Sequence, residues 1–419
     1  MIRKICALVC LFVLVCTMAA TASVSELGIL SLEEALELAW KNNPRMGRAR
    51  LAIESARGEH TAAKSWPEPS LEFEIGGLKK GTDGSRKAHL DTIALKQPFN
   101  IIGTRRLQAA LGKNEIVIKE QSLRQVWSEV YVEVRSIYKN LTLIEKELEL
   151  RRKNLQTMRQ FYSDVQVSYQ GGQALKNHVQ RARIELLKTE SECLNAENDR
   201  DIAQARLNLL LGRKRDVPFM IENALEEERL AFDLEELQVI ASANRPDIQI
   251  EQTRLDSSRK ELTRQHLHRL PSFALGLEML DEEYEQDYAI LVEISLPLWG
   301  LNRGNIRKAK TEVAAGKIAV KAKQDEIDFE VYAAYRDARL AARQLDLHKQ
   351  SLVEANEMFR LAGLRYGEGH IDFLNYLDQL SASLDSRMRY YQGLYRLSES
   401  ISMLEKAVHA SLREEEYLR

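Results

Sequence analysis

Four glutamates carry the most informative spacing in this chain of 419 residues. Glu72 and Glu74 alternate with Leu71, Phe73 and Ile75, and Glu278 and Glu293 hold polar positions in two later stretches where every second residue is apolar. Such alternation sends successive side chains to opposite faces of a strand. The chemistry on offer is fixed negative charge on a wetted face, backed by an apolar one. Catalysis finds no support: there is no phosphate-binding Gly loop, no nucleophile elbow and no HExxH, and the eight histidines are scattered. His266 and His268 stand at i and i+2 of a helix, so they point to different faces. Neither an enzyme, nor a cofactor, nor a dedicated metal site is expected.

The glutamates belong to two strand pairs. The first covers about 70–76 and 90–97, joined by a polar loop and ended by Pro98; the second covers about 272–280 and 288–296, joined across the acidic stretch 281–287 and ended by Pro297. Each strand is about 8 to 10 residues long, near the roughly 9 to 11 that cross an outer membrane when tilted. Two hairpins cannot close a barrel, and open edges are not tolerated in lipid. Either the strands lie on a soluble core or several copies share one barrel, and the Pro-bounded alternation of an exported chain favours the second. Trp66, Phe99, Trp299, Tyr284 and Tyr288 fall at or just beyond strand ends, where aromatic belts form.

What positions the strands is helical. Between residues 101 and 211 there is no proline, and apolar residues recur at alternating spacings of three and four: Leu123, Trp127, Val130, Val134, Ile137, Leu141, Ile144, Leu148, Leu155, Met158, Tyr162, Val165 and Tyr169. Arg151 is the polar intruder of this seam. After the turn Tyr169-Gln170-Gly171-Gly172 the pattern resumes from Val179 to Leu210, so two helices run out and back. The outgoing one, from about Arg105 to Ser168, would be about 95 Å long at about 1.5 Å per residue. No compact domain contains such an element.

The arrangement occurs twice. An offset of 197 maps the seam onto Val320 through Tyr366, Arg151 onto His348, and the turn onto Tyr366-Gly367-Glu368-Gly369. An offset of 202 maps the capping box Ser31-Leu-Glu-Glu34 onto Asp233-Leu-Glu-Glu236, and Asn43-Pro44 onto Arg245-Pro246. All eight prolines mark kinks, junctions or the linker, and none interrupts a long helix, where one would cost about 3 kcal/mol. The segmentation is a signal over 1–22, a first repeat over 23–212, a linker over 213–232 that reads as irregular, a second repeat over 233–410 and a tail over 411–419.

Arg3 and Lys4, an apolar run and Ala20-Thr21-Ala22 read as a secretory signal, with Ser23 opening the mature chain. A membrane anchor is the weaker reading, and lipidation at Cys16 is disfavoured by Val15 before it. Loss of the signal takes the net charge from −2 to −4, which speaks against nucleic acid. Only Cys193 would then remain, a seam residue that can form no intramolecular disulfide.

Taken together, Leu32-Glu-Glu-Ala-Leu36, Leu95-Lys-Gln-Pro-Phe99, Gly103-Thr-Arg-Arg106, Leu296-Pro-Leu-Trp299 and Arg365-Tyr-Gly-Glu-Gly369 followed by Phe373-Leu-Asn-Tyr-Leu-Asp378 resemble the TolC-like outer membrane efflux proteins over essentially the whole mature chain. The resemblance implies a mainly α fold with a small β part: two tandem helical hairpins and two transmembrane β-hairpins, giving four strands per chain to a trimeric 12-stranded barrel on an α-helical tunnel. It implies a homotrimeric exit duct in the outer membrane of a Gram-negative cell, with helices in the periplasm. Its partners are outer membrane lipid, a periplasmic adaptor and an inner-membrane pump of the RND type.

On that resemblance Glu72, Glu74, Glu278 and Glu293 line the barrel lumen, and the tips at Tyr169, Gly171, Gly172, Tyr366, Gly367 and Gly369 dock the adaptor. Family tips carry acids six and nine residues after the Gly; here those positions are Asn375 and Asp378, with Asp372 as substitute for the missing acid at the periplasmic aperture. The Gln97-Pro98 junction looks closer to the heavy-metal cation branch of the family. The competing function is an exported coiled-coil scaffold or a periplasmic adaptor, which the paired strand hairpins disfavour. The cargo is not written in the sequence.

Overall fold

The computed structural model describes residues 28–80, 86–99, 103–172, 175–222, 225–229, 232–282, 285–297 and 299–412. The signal over 1–22, Tyr284 and the tail beyond 412 lie outside them. In chain order the elements are β1 (Ile29–Leu30), α1 (Leu32–Asn42), α2 (Pro44–Lys64), β2 (Ser70–Lys80), β3 (Arg86–Phe99), α3 (Thr104–Gln170), α4 (Lys176–Leu210), β4 (Met220–Ile221), α5 (Leu234–Asn244), α6 (Pro246–Leu267), β5 (Ser272–Glu282), β6 (Glu285–Ser295), a 3-10 turn at Gly300–Asn302, α7 (Arg303–Gly367) and α8 (Phe373–Val408). Two compact units result. One holds the described residues up to Leu38 with Ile137–Leu225, the other Ala39–Ser136 with the described residues from Glu226 on.

Local chemistry sets the helix boundaries. Ser31 opens α1 through a reciprocal capping box, its amide on Glu34 Oε2 and the Glu34 amide on Ser31 Oγ, both at 3.1 Å. The Asp233 amide meets Glu236 Oε2 at 3.1 Å in the equivalent box of α5. Pro44 and Pro246 sit at the first position of α2 and α6, where a missing N–H costs nothing. Asn43 Oδ1 accepts the Arg45 amide at 2.8 Å, so the chain breaks between α1 and α2 and starts again at once.

In the first unit the seam of α3 and α4 buries Leu148, Cys193 and Ala196, with Leu155 against them. Arg151 does not interrupt this packing. Its guanidinium bonds Glu147 at 2.6 Å along the helix and Glu192 at 2.8 Å across the hairpin. The segment read from sequence as an irregular linker contains β4, which pairs in parallel with β1. Tyr138 fixes that pair: its hydroxyl donates to the Leu30 carbonyl at 2.8 Å and accepts the Glu222 amide at 3.1 Å. Burial pushes the Tyr138 phenol up to about 12.

In the second unit Leu237, Ala241, Ile248, Ile327, Val331, Ala338, Leu404 and Val408 form one core of α5, α6, α7 and α8. Arg135, one residue beyond the seam position Val134, is fully buried beside it. It holds Glu405 of α8 and, at 2.6 Å, Glu228 of the linker; Glu228 also accepts from Ser398 Oγ at 2.9 Å. Burial alone would depress the guanidinium, but the Glu405 and Glu228 carboxylates outweigh it and raise its pKa.

A buried cation stripped of its partners, or carboxylates stripped of theirs, is costly, whereas removing the whole set need not be. Arg135→Ala should therefore destabilise the protein by about 3–5 kcal/mol. Circular dichroism melting in detergent checks this, and the combined replacement of Arg135 by Met, Glu405 by Leu and Glu228 by Gln should regain most of the loss.

Candidate functional site

The four longer strands form one antiparallel sheet in the order β2-β3-β5-β6, inside the second unit. They run further than the alternation alone predicts, and Pro98 does not end β3: it pairs with Ala274, and Phe99 pairs with Phe273. A proline without an N–H is tolerated in this last part of the strand. Gln97 stands beside it on the apolar face, and its amide is satisfied by the carbonyls of Pro67 at 2.8 Å and Pro98 at 2.9 Å.

Register sorts the two faces. Leu71 opposes Leu95, Leu95 opposes Leu277 and Leu277 opposes Ile290, while Phe73, Ile93, Met279 and Tyr288 make the next such row. Ile93 and Met279 are half-buried; the others are exposed, as are Leu275, Val292 and Ile294. A continuous apolar surface of this kind facing outward marks contact with lipid or protein. At its lower end Trp66 meets Phe99 edge-on at 6.0 Å, Phe99 stacks on Phe273 at 5.4 Å, and the Arg105 guanidinium lies 4.2 Å over the Trp66 ring. Trp299 is almost fully exposed and Tyr288 projects nearer the other end.

The opposite face carries all four sequence-identified glutamates. Glu72 and Glu278 both oppose Ala94, Glu74 opposes Thr92, and Glu293 opposes Ala274. Between them lies Lys96, which the sequence reading passed over as part of the Leu-Lys-Gln-Pro string. Its ammonium is 2.5 Å from Glu72 and 3.8 Å from Glu293. The signal was available, since Lys96 shares the parity of Ala94 and Thr92 on β3.

The hairpin turns are built as the sequence implies. Gly172 and Gly369 have φ of +75° and +74°, a left-handed conformation that a side chain would strain. The Gly172 amide closes on the Tyr169 carbonyl at 3.0 Å, and the Gly369 amide on that of Tyr366 at 3.1 Å. Gly171 bonds the Val167 carbonyl, and Gly367 is the last residue of α7. Gln173 lies outside the described residues. In the second turn the Tyr366 ring stacks on Tyr376 at 5.0 Å, and Tyr376 meets Phe359 at 5.6 Å.

Of the three aperture candidates, Asp372 is the N-cap of α8 and accepts the Asn375 amide at 2.9 Å. Asn375 lines an open cleft of about 430 Å³ with Met358, Leu361, Arg365, Ile371 and Gln379, while Asp378 is exposed. His266 lies in the last turn of α6, and His268 caps it.

The family model for outer membrane efflux proteins matches residues 35–213 and 237–408. The chain belongs to the outer membrane efflux protein family. The cobalt-zinc-cadmium resistance protein CzcC of Cupriavidus metallidurans is 22% identical over 403 residues, which cover 90% of each protein. Among solved structures, the MtrE outer membrane channel of Neisseria gonorrhoeae in its open state matches with a TM-score of 0.76 at 18% identity, covering 94% of both chains. CusC matches with a TM-score of 0.75 at 18% identity, covering 90% of this chain and 91% of its own. The fold is therefore that of the TolC-like channels, and the protein is an outer membrane efflux protein.

For a membrane strand, arginine on the lipid side costs about 2–4 kcal/mol at mid-depth. Leu277→Arg should accordingly abolish accumulation in the outer membrane, whereas Glu278→Gln, one residue along on the other face, should leave it near normal. Immunoblots of fractionated membranes give the comparison.

Proposed function

We propose that three copies of the chain assemble into one exit duct, each giving β2, β3, β5 and β6 to a 12-stranded barrel and its two hairpins to a periplasmic tunnel. The observation that carries this is the four-stranded sheet itself: an outward apolar face with β2 and β6 each paired on one side only among the described residues. Lipid offers no hydrogen bonds to such edges, so strands of other copies must supply them. Exposed apolar residues on α4 (Ile184, Leu187, Leu194, Ile202) and on α7 (Leu340, Leu347, Met358, Leu361) further suit helix packing against neighbouring copies.

In this reading Glu72, Glu74, Glu278 and Glu293 line the barrel lumen. The turns at Tyr169, Gly171, Gly172, Tyr366, Gly367 and Gly369 dock a periplasmic adaptor, which couples the duct to an inner-membrane pump of the RND type. The aperture is narrowed by packing around Tyr366 rather than by a ring of acids, since Asn375 stands where an acid would be and Asp372 is engaged as a cap. The curated relative, a cobalt-zinc-cadmium resistance protein, supports divalent metal cations as cargo. The boundaries 23–212 and 233–410 then delimit two equivalent halves of one wall.

Mass measurement of protein extracted in mild detergent should give three times the chain mass of 48.0 kDa less the signal, and planar bilayers should record a small, mostly closed conductance. A monomer without conductance would overturn the duct.

Gly369→Pro forces φ to about −65° where the turn needs a positive value. Export should be lost in that variant while the trimer survives native electrophoresis; normal efflux would refute the tip assignment.

A further inference from the structure

Lys96 lies among the glutamates of the polar face, and it is held there by construction. From β3 its side chain reaches Glu72 on one neighbouring strand and, across the whole width of β5, Glu293 on β6. The crossing is made over Gly276. A Cβ built at Gly276 would stand 3.1 Å from Lys96 Cγ and 3.0 Å from the Leu95 carbonyl oxygen, so a side chain there would crowd the lysine stem and the neighbouring backbone. The result is a side chain only 19% exposed between carboxylates that are 54% and 55% exposed. Glu278, two residues from the glycine seat on the same face, completes the surroundings.

Stability does not account for this arrangement. Ion pairs on so open a face contribute little to stability, and a glycine inside a strand weakens it. What the arrangement changes is the charge that a passing ion meets. Without the ammonium, Glu72 and Glu293, which converge on one point from β2 and β6, would present uncompensated carboxylates, the hard oxygen donors that divalent cations take up. A low-dielectric wall would intensify their attraction.

We propose that Lys96, seated over Gly276, is a specificity-determining residue of the duct: a tethered cation that occupies the glutamates so that the wall does not retain the divalent cations crossing it. The proposal rests on this face lining the lumen. An ammonium fixed by its own backbone cannot leave with the cargo, so the carboxylates keep the wall wet and acidic without becoming a trap.

Mn²⁺ titration of the full-length protein in detergent, followed by the electron paramagnetic resonance of the free ion, tests this. Lys96→Met should bind Mn²⁺ at least tenfold more tightly than the natural protein, Lys96→Arg should behave as the natural protein does, and Lys96→Met with Glu72→Gln should lose the gain. Gly276→Val keeps the charge while filling the seat, and should move binding in the same direction by a smaller factor; it carries the test should Lys96→Met fail to fold. Equal Mn²⁺ binding by the natural protein and either variant would overturn the role of Lys96. In bilayers, Mn²⁺ should block Lys96→Met at about one tenth of the concentration needed for the natural channel. Currents with equal block refute the tethered cation, whereas absence of current in every protein refutes the duct reading.

Discussion

Backbone hydrogen bonding in lipid is the constraint on which the rest depends. A sheet of four strands with an apolar outer face has no stable place in water and no tolerable edge in a membrane. The alternation that makes the outer face apolar simultaneously fixes the inner one, because a shift of one residue would exchange them entirely. Glutamates can therefore be written into the same strands as the lipid contacts, one position apart. The aromatic group of Trp66, Phe99 and Phe273, with Arg105 over it, sits where the sheet gives way to helix. Amphipathic rings favour such a boundary between hydrocarbon and water.

Much of this was legible in the sequence because it is periodic. The two strand pairs, the two long hairpins, their glycine turns and the two kinks before proline all arise from patterns with a fixed spacing, and each is present, although the strands of the first pair run several residues beyond their expected limits. The departures come from interactions that leave no period. Two-residue strands such as β1 and β4 are too short to alternate, and what joins them is the hydroxyl of Tyr138, far away in sequence. Arg135 looks from sequence like one more wetted helix residue. Only the return of the linker and α8 places Glu228 and Glu405 against it. Lys96 was legible in part: its parity with Thr92 and Ala94 puts it on the polar face, whereas Glu293 comes within reach only through the pairing of β3 with β5 and of β5 with β6.

Polar intruders in the seams show how the duplicated halves diverged under one rule. A buried or half-buried charge must find a partner. Arg151 finds two acids, one along its own helix and one across the hairpin, and the seam continues through it. His348 holds the equivalent position in the other repeat and is half-buried. The same backbone thus accepts either chemistry, because a narrow seam needs only volume and satisfied polar atoms at that point.

Burial along the seams also says where the hairpins can change shape. In the first repeat Val130, Val134, Leu141, Leu148 and Met158 are buried, Tyr162 and Val165 are half-buried, and Tyr169 is 44% exposed. In the second, Val331, Ala338 and Leu345 are buried, while Tyr366 is 40% exposed and rests on another aromatic ring rather than in a core. Local opening is cheapest where buried apolar contact is least. Each hairpin is thus firm through its middle and yielding at its turn, and a glycine with positive φ at that turn lets the backbone reverse without strain. A duct that must open at its inner end needs its softest contacts there. On the proposal that these turns form the periplasmic aperture, ring stacking suits opening, because Tyr366 and Tyr376 can slide apart without leaving a charge unpaired, whereas a constriction of carboxylates would change its grip with every cation that passed.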